Sequence, residues 1–121
     1  MAVTVDDVRA FARDLPRSTE GVARGRLKLY IGRIVYVDFH ADETIMGFAF
    51  PKEERAGLIA SDPQKFLLPR LSDQRYNWVD ARLATLEDDE MRELVYDAWR
   101  FCVPKRVAAE FERERGGPPM R

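Results

Sequence analysis

The sequence predicts an α+β domain: an antiparallel sheet of about five strands with helices packed on it, in the order α-β-β-β-α-β-β-α. Three observations carry this. Apolar residues recur at helical spacing at both ends of the chain, at Val8, Phe11, Ala12 and Leu15 and again at Met91, Leu94, Val95, Ala98, Trp99 and Cys102. The stretch between them alternates apolar and polar residues with period two in several short runs split by turn residues. A chain of 121 residues, 45% apolar and 34% charged, can bury one core without disulfides or a structural metal. Residues 1–115 read as a single domain. Residues 116–121 read as a mobile tail, because Gly116, Gly117, Pro118 and Pro119 cannot continue a helix.

The elements follow in order. Thr4 can cap a helix whose first turn holds Asp6 and Asp7, where the helix dipole favours acids, and Pro16 ends it. A loop is expected through Gly21 and Gly25. Leu27, Leu29 and Ile31 then alternate with Arg26, Lys28 and Tyr30, and Gly32-Arg33 has the form of a two-residue Gly-X hairpin turn. Over residues 34–40, Val35, Val37 and Phe39 share one face while Tyr36, Asp38 and His40 share the other. A third run, 44–50, puts Met46, Phe48 and Phe50 together. Pro51 opens a short helix that stops near Ser61. Phe66-Leu67-Leu68, halted by Pro69, reads as a short edge strand or a loop. Residues 74–83 form the last strand. Thr85 with Asp88 resembles a capping box for a long helix, which Pro104 should break near residues 101–103.

Charge and composition narrow the functional classes. One cysteine cannot form an internal bridge, no signal-peptide pattern opens the chain and no apolar run approaches bilayer length, so a cytoplasmic protein away from membranes is expected. The net charge is −1, so binding to a nucleic-acid backbone requires the cations to gather on one surface. Arg far outnumbers Lys, and its planar fork suits phosphate and carboxylate. No nucleophile elbow, P-loop or dinucleotide fingerprint is present, and Cys102 lies on an apolar helix stripe. No enzymatic activity and no cofactor are therefore expected.

Taken together the motifs resemble the MmcQ/YjbR family. They are Leu15-Pro16 followed by Glu20, Gly32-Arg33, the helix start Pro51-Lys52-Glu53-Glu54-Arg55, Trp78-Val79, the acidic run Glu87-Asp88-Asp89-Glu90, and Pro104-Lys105-Arg106. The resemblance spans about residues 4 to 111. Many members carry an aromatic followed by Gly in the loop before the first strand, whereas this chain has Ala23-Arg24-Gly25. The resemblance implies an α+β fold similar to secretion chaperones and frataxin-like proteins. It also implies DNA binding, a label that rests on an arrangement of hairpins.

Four groups of residues merit testing as sites. The leading one is a cationic and aromatic sheet face: Arg24, Arg26, Lys28 and Tyr30 on the first strand, Arg33 at the hairpin tip, Arg70 and Arg75 before the last strand, and Tyr76, Trp78 and Arg82 on it. Cations would hold phosphates and flat rings would stack on bases. Acids such as Asp38, Asp42 and Asp80 on the same surface count against it. Lys105 and Arg106, with Arg100, form a basic cluster after the helix break. Asp38, His40 and Asp42 have metal-compatible chemistry, but one His on a hairpin is ordinarily an exposed turn, and no metal is expected. The acidic clusters at Asp6, Asp7 and Asp14 and at residues 87–90 complement helix N-termini. The expected partner is DNA. The alternative is a protein-interaction or adaptor domain, monomeric or weakly dimeric, with Tyr30, Tyr36, Tyr76 and Trp78 exposed as an apolar patch. A ligand pocket lined by Trp99, Phe101 and Phe111 is a third reading.

Overall fold

The computed structural model describes residues 2–115, so the expected tail at 116–121 lies outside the described residues. The chain opens with helix α1 (Val5–Ala12), held by the Thr4–Asp7 capping box. A meander of four strands follows: β1 (Ser18–Ala23), β2 (Arg26–Ile31), β3 (Ile34–Phe39) and β4 (Ile45–Ala49). Helix α2 (Lys52–Ser61), the two-residue strand β5 (Phe66–Leu67) and a 3₁₀ turn at Leu71–Asp73 lead to β6 (Trp78–Arg82). Helix α3 (Asp88–Cys102) and helix α4 (Lys105–Arg115) close the chain. All six strands join one antiparallel sheet in the order β1-β2-β3-β4-β6-β5.

The fold class agrees with the sequence, with one strand more than expected. The strand missed is β1, which replaces the expected loop. Its sequence, Ser-Thr-Glu-Gly-Val-Ala, is polar and glycine-containing because it is an edge strand with little to bury. The β1–β2 turn places Arg24 at φ 55° and Gly25 at φ 74°. Two successive positive φ values are those of a type I′ hairpin, a turn normally signalled by Asn-Gly rather than Arg-Gly. Gly32, at φ 62°, makes the Gly-X turn anticipated between β2 and β3.

One change of phase matters more. In β3, Val37 pairs with Leu29 but Val35 pairs with Tyr30, leaving Tyr36 as an extra, unpaired residue. This β-bulge turns Tyr36 and Val37 to the same side, and both are fully buried. Tyr36 therefore belongs to the core rather than to the face it shares by simple alternation. Its hydroxyl pairs with that of Ser18, and burial pushes its pKa up to about 12.

The helices cover one side of the sheet. Helix α3 packs across β3 and β4, α1 packs on α3, and α2 lies along β5 and β6. The core between these layers includes Val8, Phe11, Leu29, Tyr36, Phe39, Met46, Phe48, Val79, Met91, Val95 and Trp99. Trp99 is its pivot: fully buried, its ring centroid 5.3 Å from that of Phe111 on α4, its Nε1–H donated over 2.8 Å to the carbonyl of Pro16. That bond satisfies the indole's one polar group and ties the end of the α1 segment to α3.

The break after α3 falls where Pro104 requires it, with Val103 extended at ψ 158°. The start of α3 lies later than expected. Thr85 donates its hydroxyl to the carbonyl of Arg82, and the capping box is made by Glu87 and Glu90 instead. The Leu83–Thr85 turn has already taken the threonine.

Because Trp99 fills the junction of α3, α4 and the chain after α1, Trp99→Ala is expected to cost about 3–5 kcal/mol. Trp99→Phe, which keeps most of the volume and loses the bond to Pro16, should cost less. Urea unfolding followed by circular dichroism measures both.

Candidate functional site

With helices on one side, the opposite face of the sheet is left without a covering layer. Strand register assigns its residues: Gly21 of β1 lies opposite Lys28 of β2, Lys28 opposite Asp38 of β3, and Gly47 of β4 between Asp38 and Asp80 of β6. Tyr30 reaches back over Gly21, where a Cβ would lie 3.0 Å from its ring.

From Lys28 and Asp38 of this row a groove of about 720 Å³ runs to the end of α3 at Phe101 and Cys102, lined also by Arg26, Arg33, Arg70, Tyr76 and Trp78 and by the acid Asp73. Of the residues anticipated from sequence, Arg26, Lys28, Arg33 and Trp78 meet here. Arg24 sits in the β1–β2 turn rather than on the strand face. Arg75 stands on the ring of Tyr76, 4.8 Å from its centroid. Arg82 is exposed at the end of β6, its Nε donating to the carbonyl of Gln64. Lys105 and Arg106 begin α4. Lys105 lines a second groove of about 900 Å³ with Phe50, Arg100 and Ala108; it adjoins the first at Ala49 and Phe101, which line both, while Lys105 and Arg106 are absent from the first. Trp99 and Phe111 are packed in the core rather than lining a pocket, and Phe101 is about half exposed.

The face is not uniformly positive. Arg26 Nη2 lies 2.8 Å and Lys28 Nζ 3.2 Å from the same oxygen, Oδ2 of Asp38, and Arg26 Nε also donates to the carbonyl of Phe39. Arg70 pairs with Asp73 at 2.9 Å. Arg24 and Arg33 have no ion pair among the described residues.

The acids of this face are more unusual than its cations. Asp38 and Asp80 are each only 7% exposed although they occupy the open face. They fit because Gly47 lies between them without a side chain. A Cβ at Gly47 would come within 2.6 Å of Asp38 Oδ1, 2.9 Å of Asp80 Oδ1 and 2.5 Å of Trp78 Nε1. Asp38 Oδ1 is buried with no hydrogen-bond partner among the described residues. Asp80 Oδ2 lies 3.5 Å from His40 Nε2. Burial pushes the Asp80 carboxyl from its ordinary value near 3.8 up to about 6, with the charge of Asp38 adding to the rise and His40 and Arg26 opposing it.

Asp42 does not join this cluster. Its carboxylate accepts from the Thr44 amide and hydroxyl at 3.1 and 2.8 Å, closing the β3–β4 turn, and those bonds hold its pKa down. Among the described residues no group of three or more metal-binding side chains converges. Cys102 is half-buried on α3, and burial raises its pKa, so it is held as a thiol.

Two residues that position the site were read from sequence only as part of a helix start. Arg55 of α2 donates to three carbonyls of the segment before and into β6: Tyr76 at 3.2 Å, Trp78 at 3.0 Å and Gln74 at 2.9 Å. Lys52 supports the same segment, its backbone amide bonding Asn77 Oδ1 and its ammonium the carbonyl of Arg75. The Pro51-Lys52-Glu53-Glu54-Arg55 motif is thus a clamp on the loop that presents Tyr76 and Trp78. Gly47 carried a readable signal of its own, since a lone glycine inside an apolar strand marks a close approach.

No protein-family model matches the chain, and no curated protein matches it. Among solved structures it is similar to the Deinococcus radiodurans protein DR2400, whose crystal structure is described as a DUF419 domain. The TM-score is 0.73 at 21% identity, over 97% of this chain and 91% of that one. The likeness establishes the α+β fold. Among the described residues no helix is long and apolar enough to cross a membrane.

The raised pKa of Asp80 has a measurable consequence. The folded chain keeps that proton to about pH 6, and the unfolded chain releases it near 3.8. The stability the protonated group contributes is therefore complete below the lower value and lost as pH rises through the upper one. The groups facing Asp80 are His40 and Asp38 from the β3 side and Arg26 from β2. Asp80→Asn stays neutral, so its Tm relative to the native protein should improve between about pH 4.5 and about pH 7.5 in parallel thermal melts. A Tm difference that stays constant or shrinks would show that Asp80 is not strained at neutral pH.

Proposed function

We propose that this chain is an MmcQ/YjbR-like, non-enzymatic binding domain that takes single-stranded nucleic acid along the open sheet face. The observation that carries the reading is the groove in which Arg26, Lys28, Arg33 and Arg70 stand beside Tyr76 and Trp78, four cations against two acids. Cations that track phosphates and rings that accept bases are the elements sequence-tolerant single-strand binding requires. The family reading is supported by the ordered series of motifs and by a fold shared with a DUF419 domain over nearly the whole chain. The pairing of Arg26 and Lys28 with Asp38 argues against a broad phosphate-binding stripe for duplex DNA and favours contact confined to the groove.

One observation favours a protein partner instead. Ile34, Tyr76 and Phe101 are each about half exposed on the same groove, and Leu71 is 83% exposed beside it. An apolar rim of this kind suits a peptide or a second domain.

The deciding measurement is Trp78 fluorescence during titration with single-stranded and duplex oligonucleotides across a salt series, Trp99 being buried. Single strands should bind more tightly, with log affinity falling by about 0.7 per phosphate contact for each tenfold rise in salt. Arg33→Glu with Arg75→Glu should weaken binding at least about tenfold at low salt, since each reverses a charge near the groove. Absence of binding at low salt would retire this reading in favour of the protein partner.

A further inference from the structure

The larger groove has no part in the strand-binding reading, although it adjoins the groove that does. It holds about 900 Å³ and lies where the end of β4, the start of α2, the end of α3 and the start of α4 meet. Ala49 and Phe101 line both grooves, so Phe101 stands at the junction. Its ring is about half exposed, whereas Ala98 and Trp99 just before it on α3 are fully buried. The core therefore does not require a ring at this position. In the smaller groove Phe101 shares the lining with Tyr76 and Trp78, so three aromatic side chains border one space.

The chemistry beyond the junction is mixed. Phe50, Val103 and Ala108 supply apolar surface, and Arg100 and Lys105 stand against Glu54 and Asp97. Arg100 pairs with Glu112 at 3.1 Å, while Lys105 has no ion pair among the described residues. Burial and the charge of Glu93 push the Asp97 carboxyl up, with Arg100 opposing, so an N–H donor in the groove would relieve it. An isolated phosphate would meet two acids here. A nucleotide brings a flat ring, an N–H donor on its base and one negative charge. Each has a counterpart: the ring of Phe101, the acids, and Lys105.

We infer that a bound strand continues past Trp78, stacks a base on Phe101 and runs into the larger groove, where Lys105 holds the following phosphate. The inference rests on the strand-binding reading and sets the length of its footprint, which spans both grooves rather than the smaller one alone.

The test uses the full chain and the fluorescence anisotropy of end-labelled thymine strands of increasing length, each titrated across a salt series. Phe101→Ala should weaken binding of the long strands about tenfold, as one lost base–ring stack does, and leave the salt dependence unchanged. Phe101→Tyr keeps the ring and should stay within about twofold of the native protein. Lys105→Glu should flatten the log–log salt slope of the long strands by about 0.7, one phosphate contact. Arg106→Glu makes the same charge reversal one residue on, outside both grooves, and should change the slope far less. Thermal melts establish that the variants fold. Long-strand affinity unchanged in Phe101→Ala, or a salt slope that moves no more in Lys105→Glu than in Arg106→Glu, would overturn the continuation and leave strand binding standing. No binding of any strand at low salt would overturn both.

Discussion

The packing of Trp99 is the constraint from which the rest of the architecture follows. A fully buried indole on α3 needs a partner for its one donor, and it finds the Pro16 carbonyl just before β1. That contact fixes the first helix and the start of the sheet against α3, and Phe111 closes on the same ring from α4. All the large apolar groups near these contacts lie on one side of the sheet. The β3 bulge adds Tyr36 to that side and so removes from the other the aromatic that simple alternation would have left there on β3. Apolar residues are thus drawn to the helical side, and charged residues are left on the other.

That other side is crowded despite having no covering layer. Asp38 and Asp80 are buried by their own neighbours, since Gly47 lets them sink toward the sheet and Trp78 and His40 lie near them. The two acids then dominate the local electrostatics. One takes up two cations, and the other is raised toward neutrality because both cannot be comfortably ionised in so little water. A designer seeking only stability would replace such a pair with apolar residues. Its presence on the accessible face is a local conflict of the sort found at functional sites.

Much of the fold was legible because the core follows simple periodicities. The Val8–Leu15 stripe, the Met46–Phe48 alternation and the helix break at Pro104 were all readable as sequence patterns. What was not legible depended on relations between distant segments. β1 carries no apolar alternation, because an edge strand has little to bury. The bulge at Tyr36 leaves no local mark, since an extra residue is defined only by its partners on β2. The site divided in the same way. Arg26, Lys28, Arg33 and Trp78 could be placed on a common face from strand alternation. The pairing of two of those cations with Asp38 and the role of Arg55 as a clamp required the fold, for each joins residues at least ten positions apart.

The strand order also bears on how the chain reaches its native state. β1 to β4 are built from neighbouring pairs, but the edge of β4 is completed only by β6, whose pairing joins Ala49 to Trp78 and Ile45 to Arg82. Local hairpins form early, whereas a pairing across roughly thirty residues must first close a long loop. During synthesis the four-stranded half-sheet therefore emerges with an open edge at β4, and Met46 and Phe48 remain bare until α3 has left the ribosome. The interval before α3 can dock is the one in which transiently bare apolar surface and an unpaired strand edge favour misassociation.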